Sequence, residues 1–195
     1  EIYTLSLHDA LPISTSRIIE DPSTFFLQAR DTALSGTALV MSMESQRPFV
    51  VEVQALVTRT FLAFPRRTAL GFDANRLHLL IAVMEKRLQI NLGQMDVYAK
   101  VGGGLRMKDP GLDLGIAAAI LSSLYDRPLP EGAVFWGEVD LNGQIRPVSG
   151  HEARERQAAN LGYSPLVHPR GGDRSAGWSR LADVKTMLFE QGGRS

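Results

Sequence analysis

The sequence predicts an α/β domain, and three observations carry that expectation. Strand-like and helix-like patterns alternate from Pro48 to the C-terminus in the order β-β-α-β-α-β-β-α-β-α. Hydrophobic residues make up 44 % of the 195, ample for a single core. No apolar run approaches the roughly 18 residues of a membrane span. The N-terminus also lacks the basic start and apolar stretch of a signal peptide, so the expected compartment is the cytoplasm, with no membrane partner.

Glu1 to Ile13 reads like the translation of a common sequencing-adapter oligonucleotide, and it is expected to be an artefact rather than part of a fold. Asp21-Pro22-Ser23 is a turn or helix start before Phe25, Phe26 and Leu27, and Gly36 to Met43 is a buried strand. One strand cannot fold alone, so residues 14–47 are expected to be the loosely held end of a truncated preceding domain, and 48–195 the α/β domain proper.

Phe49 to Val57 is rich in β-branched residues, and Arg66 to Phe72 is a second strand reached through a loop at Pro65. Asp73 caps a helix whose stripe Leu77, Ile81, Met84 and Leu88 keeps 3.6-residue spacing. Asp96 to Val101 is a strand that stops at Gly102-Gly103-Gly104. That glycine run has no following Lys-Ser/Thr and reads as a strand-end turn, not a phosphate loop.

Asp109-Pro110 signals a helix start, with Leu112, Ile116, Ala119, Ile120 and Leu124 as its buried face. Ala133–Leu141 and Gln144–Val148 flank Asn142-Gly143, expected to form a type I′ hairpin with positive φ at both positions. A helix from about Gly150 ends at Gly162, Pro165–His168 is a short strand, and Leu181, Val184 and Leu188 mark a last helix.

Cysteine is absent, which excludes disulfides and thiolate zinc sites, and His8, His78, His151 and His168 are too scattered for a helical metal motif; no metal is expected. Net charge is formally zero, but its distribution is uneven. Arg59 to Lys108 holds nine Lys/Arg against three acids, a balance of +6, whereas Asp109 onward holds nine against eleven, a balance of −2. Such segregation permits a basic face on an otherwise neutral molecule.

Eight ordered segments carry a family resemblance: Val51–Val57, Pro65-Arg66-Arg67, Gly71–Arg76, Val83–Arg87, Tyr98–Gly103, Leu112–Ala117, Gly137–Gly143 and Arg154–Ala159. In that order and spacing, over most of residues 17–168, the chain resembles the C-terminal half of RadA/Sms DNA repair proteins. The resemblance implies a Lon-protease-like domain, related to the two-layer fold of small-subunit ribosomal proteins, preceded at 14–47 by the end of a RecA-like ATPase core. It also implies work in DNA repair and homologous recombination, as part of a hexameric, ATP-driven branch-migration motor acting with a RecA-type recombinase. ATP and zinc are implied only for the parent's N-terminal part; this segment has no G-x-x-x-x-G-K-[ST] loop and is expected to hold neither.

Lon-type proteases pair a serine nucleophile with a lysine base. The resemblance places Asp113 at the serine position and Glu152 at the lysine position. A carboxylate pair cannot reproduce that dyad, so no catalytic residue is expected. Ser149, close to the lysine position, reads as a helix cap, with a displaced nucleophile as the alternative. Asp113 and Glu152 are expected to be solvated or paired with arginines, and His78 and His151 to be surface or helix-end residues. What remains is binding and assembly. Arg66, Arg67, Arg76, Lys86, Arg87, Lys100, Arg106 and Lys108 are the expected contacts to DNA phosphates; no aromatic interleaving points to base stacking. The alternatives are an active peptidase and a purely structural ring scaffold.

Overall fold

A computed structural model describes residues 34–171 and 177–190. The chain folds as an α/β unit around a six-stranded mixed sheet. Its strands are β1 (Thr37–Glu44), β2 (Arg47–Arg59), β3 (Arg67–Leu70), β4 (Met95–Val101), β5 (Val134–Phe135) and β8 (Leu166–Val167), while β6 (Glu138–Val139) and β7 (Ile145–Arg146) form a separate two-stranded ribbon. The order across the large sheet is β3-β4-β2-β1-β5-β8. β1–β2 and β2–β4 are antiparallel; β3–β4, β1–β5 and β5–β8 are parallel. The helices are α1 (Ala74–Leu88), α2 (Leu112–Leu124), α3 (His151–Asn160) and α4 (Leu181–Lys185), the last continuing into a π turn over Thr186–Glu190.

The alternation of side chains along the strands builds two unequal apolar layers. Val40, Val51, Val53, Val97, Ala99 and Phe135 point to the face covered by α1, α2 and α4 and form the main core. Leu39, Met41, Val50, Val134 and Trp136 point the other way and meet Ala158 of α3. That second layer covers β8, β5, β1 and the first part of β2; toward β3, β4 and the far part of β2, Leu56 and Leu70 are exposed.

Helix α1 follows its sequence pattern closely. Asp73 Oδ1 accepts the Asn75 amide at 2.9 Å as its N-cap, and Leu77, Ile81, Met84 and Leu88 are buried. Helix α2 differs from expectation in being buried on all sides from Leu112 to Ser122 rather than along one stripe, the pattern of a helix walled in by sheet and neighbouring helices. Gly115 permits its seat on β1, because a Cβ there would overlap the Val40 side chain.

Three expectations are corrected. The boundary at 47/48 runs through a hairpin: β1 pairs with β2 over all eight residues from Thr37↔Gln54 to Glu44↔Arg47, and with β5 on its other side. The partner that a lone strand requires lies downstream, across a tight turn at Ser45, whose φ is 57°. The α/β unit therefore includes Thr37–Glu44; the rest of the expected preceding domain, and residues 1–13, lie outside the described residues. The expected strand 133–141 breaks after Phe135, so that β5 joins the large sheet and β6 the ribbon. Nor is the ribbon turn type I′: Gly143 has φ 75°, but Asn142 has no positive φ. Asp140 organises it instead, its Oδ1 accepting the amides of Asn142 and Gln144, both at 2.9 Å. Among the described residues no helix is long and apolar enough to cross a membrane.

Candidate nucleic-acid interface and the Asp113 centre

The eight basic residues do not act as one surface. Arg67, at the start of β3, donates from Nη1 to the Met95 carbonyl and from Nη2 to the Leu92 carbonyl at 2.6 Å, so it ties the sheet edge to the α1–β4 connection. Arg87, in the last turn of α1, donates from Nη2 to Asn142 Oδ1 at 3.1 Å, bracing the β6–β7 turn. Arg76, in the first turn of α1, pairs through Nη1 with Asp113 Oδ1 at 2.9 Å. These three guanidinium groups are engaged within the fold.

Lys86, Lys100, Arg106 and Lys108 are exposed, and among the described residues none has a carboxylate partner. Lys100 lies on the open face of the sheet. Arg106 and Lys108 flank the partly buried Met107, whose amide bonds the Gly71 carbonyl at 2.7 Å. With Met107 pinned inward, its neighbours face outward. Arg76, Arg106 and Lys108 line a cleft of about 560 Å³ together with Gly71, Phe72 and the exposed Asp73. Arg66 is exposed, its amide donating to Asp96 Oδ1 at 2.7 Å.

Asp113 enters the fold in the first turn of α2. Its Oδ2 accepts the Val139 amide at 3.1 Å and its Oδ1 the Arg76 guanidinium. Burial pushes its carboxyl up to about 6; Arg76 and the Val139 amide offset part of that, and nearby Glu138 adds to it. Glu152 is elsewhere electrostatically: its side chain is 87 % exposed and sits 3.8 Å from Arg156. The two positions have separate arginine partners and share no contact among the described residues.

Ser149 does not cap α3, and the cap expected of it is corrected. The N-cap is Gly150 at φ 69°, without a side-chain bond, while Ser149 is exposed and offers only its carbonyl, to Arg154 Nε at 3.2 Å. The buried hydroxyls are committed: Ser42 donates to Asp109 Oδ2 at 2.9 Å and Ser122 to the Arg127 carbonyl at 2.6 Å. His151 is a helix-end residue, the first of α3, and it is half-buried rather than freely solvated. Trp136 Nε1 donates to its Nδ1 at 3.1 Å, its Nε2 is buried without a hydrogen-bond partner, and its ring lies 5.1 Å from that of His168. Burial, then His168, lower its pKa. His78 is exposed on α1.

One buried polar junction is not singled out in the sequence, although Arg154 opens one of the eight segments that carry the resemblance. Arg154, wholly buried, donates from Nη1 to Asp109 Oδ2 at 2.7 Å and to the Met41 carbonyl at 2.6 Å, and from Nη2 to Asp109 Oδ1 at 3.0 Å. Asp109 also accepts the amides of Met43 and Gly111, at 3.0 and 2.9 Å. Burial alone would raise its pKa, but Arg154, Gly111 and Ser42 outweigh that and hold it below its ordinary value. The junction locks β1, α3 and the approach to α2 together. Its local sequence signal is the i, i+4 pairing of Arg154 with Ala158, the two buried residues of an otherwise polar helix.

Known proteins resemble this chain over much of its length. A family model described as subunit ChlI of Mg-chelatase matches residues 81–171. The protein named DNA repair protein RadA from Rickettsia bellii (strain RML369-C) is 37 % identical over 182 residues, 90 % of this chain and 41 % of the relative. Its namesake from Synechocystis sp. (strain ATCC 27184 / PCC 6803 / Kazusa) is 45 % identical over 159 residues, 80 % of this chain and 32 % of the relative. That from Bacillus subtilis (strain 168) is 41 % identical over 167 residues, 86 % and 36 % respectively. The chain thus spans about a third to two fifths of the curated relatives it matches. Over 80–90 % of its own length the chain is similar, at 37–45 % identity, to part of the length of proteins named DNA repair protein RadA.

Proposed function

We propose that this chain is the nucleic-acid-contacting module of a DNA repair and recombination protein, with a Lon-protease-like fold that no longer cuts peptides. The observation that carries the reading is the basic rim of Arg106 and Lys108 beside the cleft, without carboxylate partners among the described residues and continued by Lys100 on the open sheet face. Exposed cations of this kind are free to replace the counterions around phosphates, which is the sequence-independent part of DNA binding. The absence of peptidase chemistry is supported by Asp113 being held by Arg76, and by the commitment of the Ser42 and Ser122 hydroxyls to groups other than a lysine amine. Ring assembly into a hexamer, contact with a RecA-type recombinase and ATP-driven branch migration come to this reading from the family resemblance, as properties of the longer parent.

A gel-shift series over salt tests it. The binding constant of the whole chain for duplex DNA should fall steeply as salt rises. Replacing Lys100, Arg106 and Lys108 together with alanine should cut affinity at least tenfold and flatten the logarithmic salt slope by about 2–3, since each neutralised phosphate adds about 0.9 to that slope. Unchanged affinity and slope would remove these residues from the interface.

A further inference from the structure

The loop Thr60–Pro65, between β2 and β3, carries its phenylalanines outward: Phe61 is 97 % exposed, Phe64 85 % and Leu62 48 %. From pattern, no aromatic interleaving in the basic segment is read as a sign of base stacking, but Phe61 and Phe64 lie between Arg59 and Arg66, both exposed. The tip is held out by a fixed base. Thr60 donates its amide to the Gln94 carbonyl at 3.1 Å, and Thr60 Oγ1 accepts the Leu62 amide at 3.1 Å. On the far side Arg66 is anchored twice, its amide to Asp96 at 2.7 Å and its carbonyl to the Val97 amide at 2.9 Å. Beside the tip runs a cleft of about 680 Å³ lined by Arg59, Phe61, Asn91 and Gln94 among others.

We propose that this loop is a stacking platform for unpaired bases of a single-stranded nucleic acid. The proposal rests on the nucleic-acid reading above and adds a mode of contact to it. Two bare rings flanked by guanidinium groups match a ligand that alternates π faces with phosphates. The Asn91 and Gln94 amides lining the cleft can meet base edges. The neighbouring carboxylate, Asp96, is buried and accepts the Arg66 amide, and Arg59 is the cation that lines the cleft. Duplex bases, already stacked on one another, cannot present their faces to Phe61 and Phe64. A second copy fits poorly, because pairing this loop with itself about a twofold axis would bring four arginines together.

The test uses the 195-residue chain, a fluorescently labelled oligothymidylate and a duplex of equal length. Phe61→Ala with Phe64→Ala should weaken oligothymidylate binding at least tenfold, with the salt slope and the duplex affinity unchanged, because stacking releases no counterions. Phe61→Trp with Phe64→Trp should keep the affinity and show indole fluorescence quenched by the oligonucleotide. The exposed rings take no part in the core, so both variants should fold. Wild-type affinity in the double alanine variant overturns the platform while leaving the basic interface standing. A change in oligomeric state by light scattering, without loss of single-strand affinity, overturns it in favour of a protein partner. A wild-type chain that binds neither probe sinks both readings.

Discussion

Asp109 and Asp113 stand four positions apart where the chain turns into α2. Both carboxylates are nearly buried and both face an arginine, yet one is held below its ordinary range and the other is lifted to about 6. The difference lies in the donors. Asp109 collects both Arg154 amino groups, two backbone amides and the Ser42 hydroxyl, and its arginine is wholly buried. Asp113 has one Arg76 nitrogen and one amide, with its arginine side chain 28 % exposed. Burial penalises both charges, and only the carboxylate with a full set of protein donors recovers the loss. Asp109 is thereby a fixed structural anion, and Asp113 a group that titrates near neutrality.

The largest effect should come from breaking the stronger site. Arg154→Met leaves the Asp109 carboxylate buried without its cation, and urea denaturation at neutral pH should show a loss of roughly 3–5 kcal/mol. A loss below about 1 kcal/mol would mean that water or a rotated neighbour takes over the arginine's role. Next comes Asp113→Asn. The folded pKa of Asp113 is raised, so its contribution to stability is fully present below its ordinary value of 3.8 and is lost as pH rises through about 6. Between pH 4 and 7 the variant should therefore gain on the parent by roughly 2 kcal/mol. Asp109 has the opposite sign: its contribution is present above its ordinary value and is lost as pH falls. A variant-to-parent difference that stays flat with pH would show that Asp113 remains charged throughout. The smallest effect belongs to Glu152→Ala, whose exposed pair with Arg156 should leave the denaturation midpoint unmoved.

Much of the fold was legible because local signals and tertiary structure agree. Asp73 and the Leu77–Leu88 stripe predict α1, and the observed helix runs Ala74–Leu88. β1 was recognisable as a strand, but its sheet partners depend on a turn at Ser45 that carries no Asn-Gly signature. The break after Phe135 had one sequence signal, Gly137, which lies in the gap between β5 and β6 but falls in the interior of the expected strand 133–141. Arg154 was illegible for a different reason: an arginine in a polar helix resembles surface until a buried acid is found opposite. Phe61 and Phe64 drew no reading from the sequence. Apolar residues in a run suggest burial, and only the geometry of a loop anchored at both ends turns them to solvent. Among the basic residues, charge was legible but commitment was not, since Arg67 and Arg87 are spent on carbonyl and amide oxygens that no pattern announces.

The place of β1 has a mechanical consequence. The described chain enters at Leu34 and passes at once into a strand flanked on both sides, antiparallel to β2 and parallel to β5. A load applied through that entrance would shear two rows of hydrogen bonds together rather than unzip an outer strand one bond at a time. Any upstream segment that moves would thus carry this unit as a rigid body, its displacement delivered to the middle of the sheet.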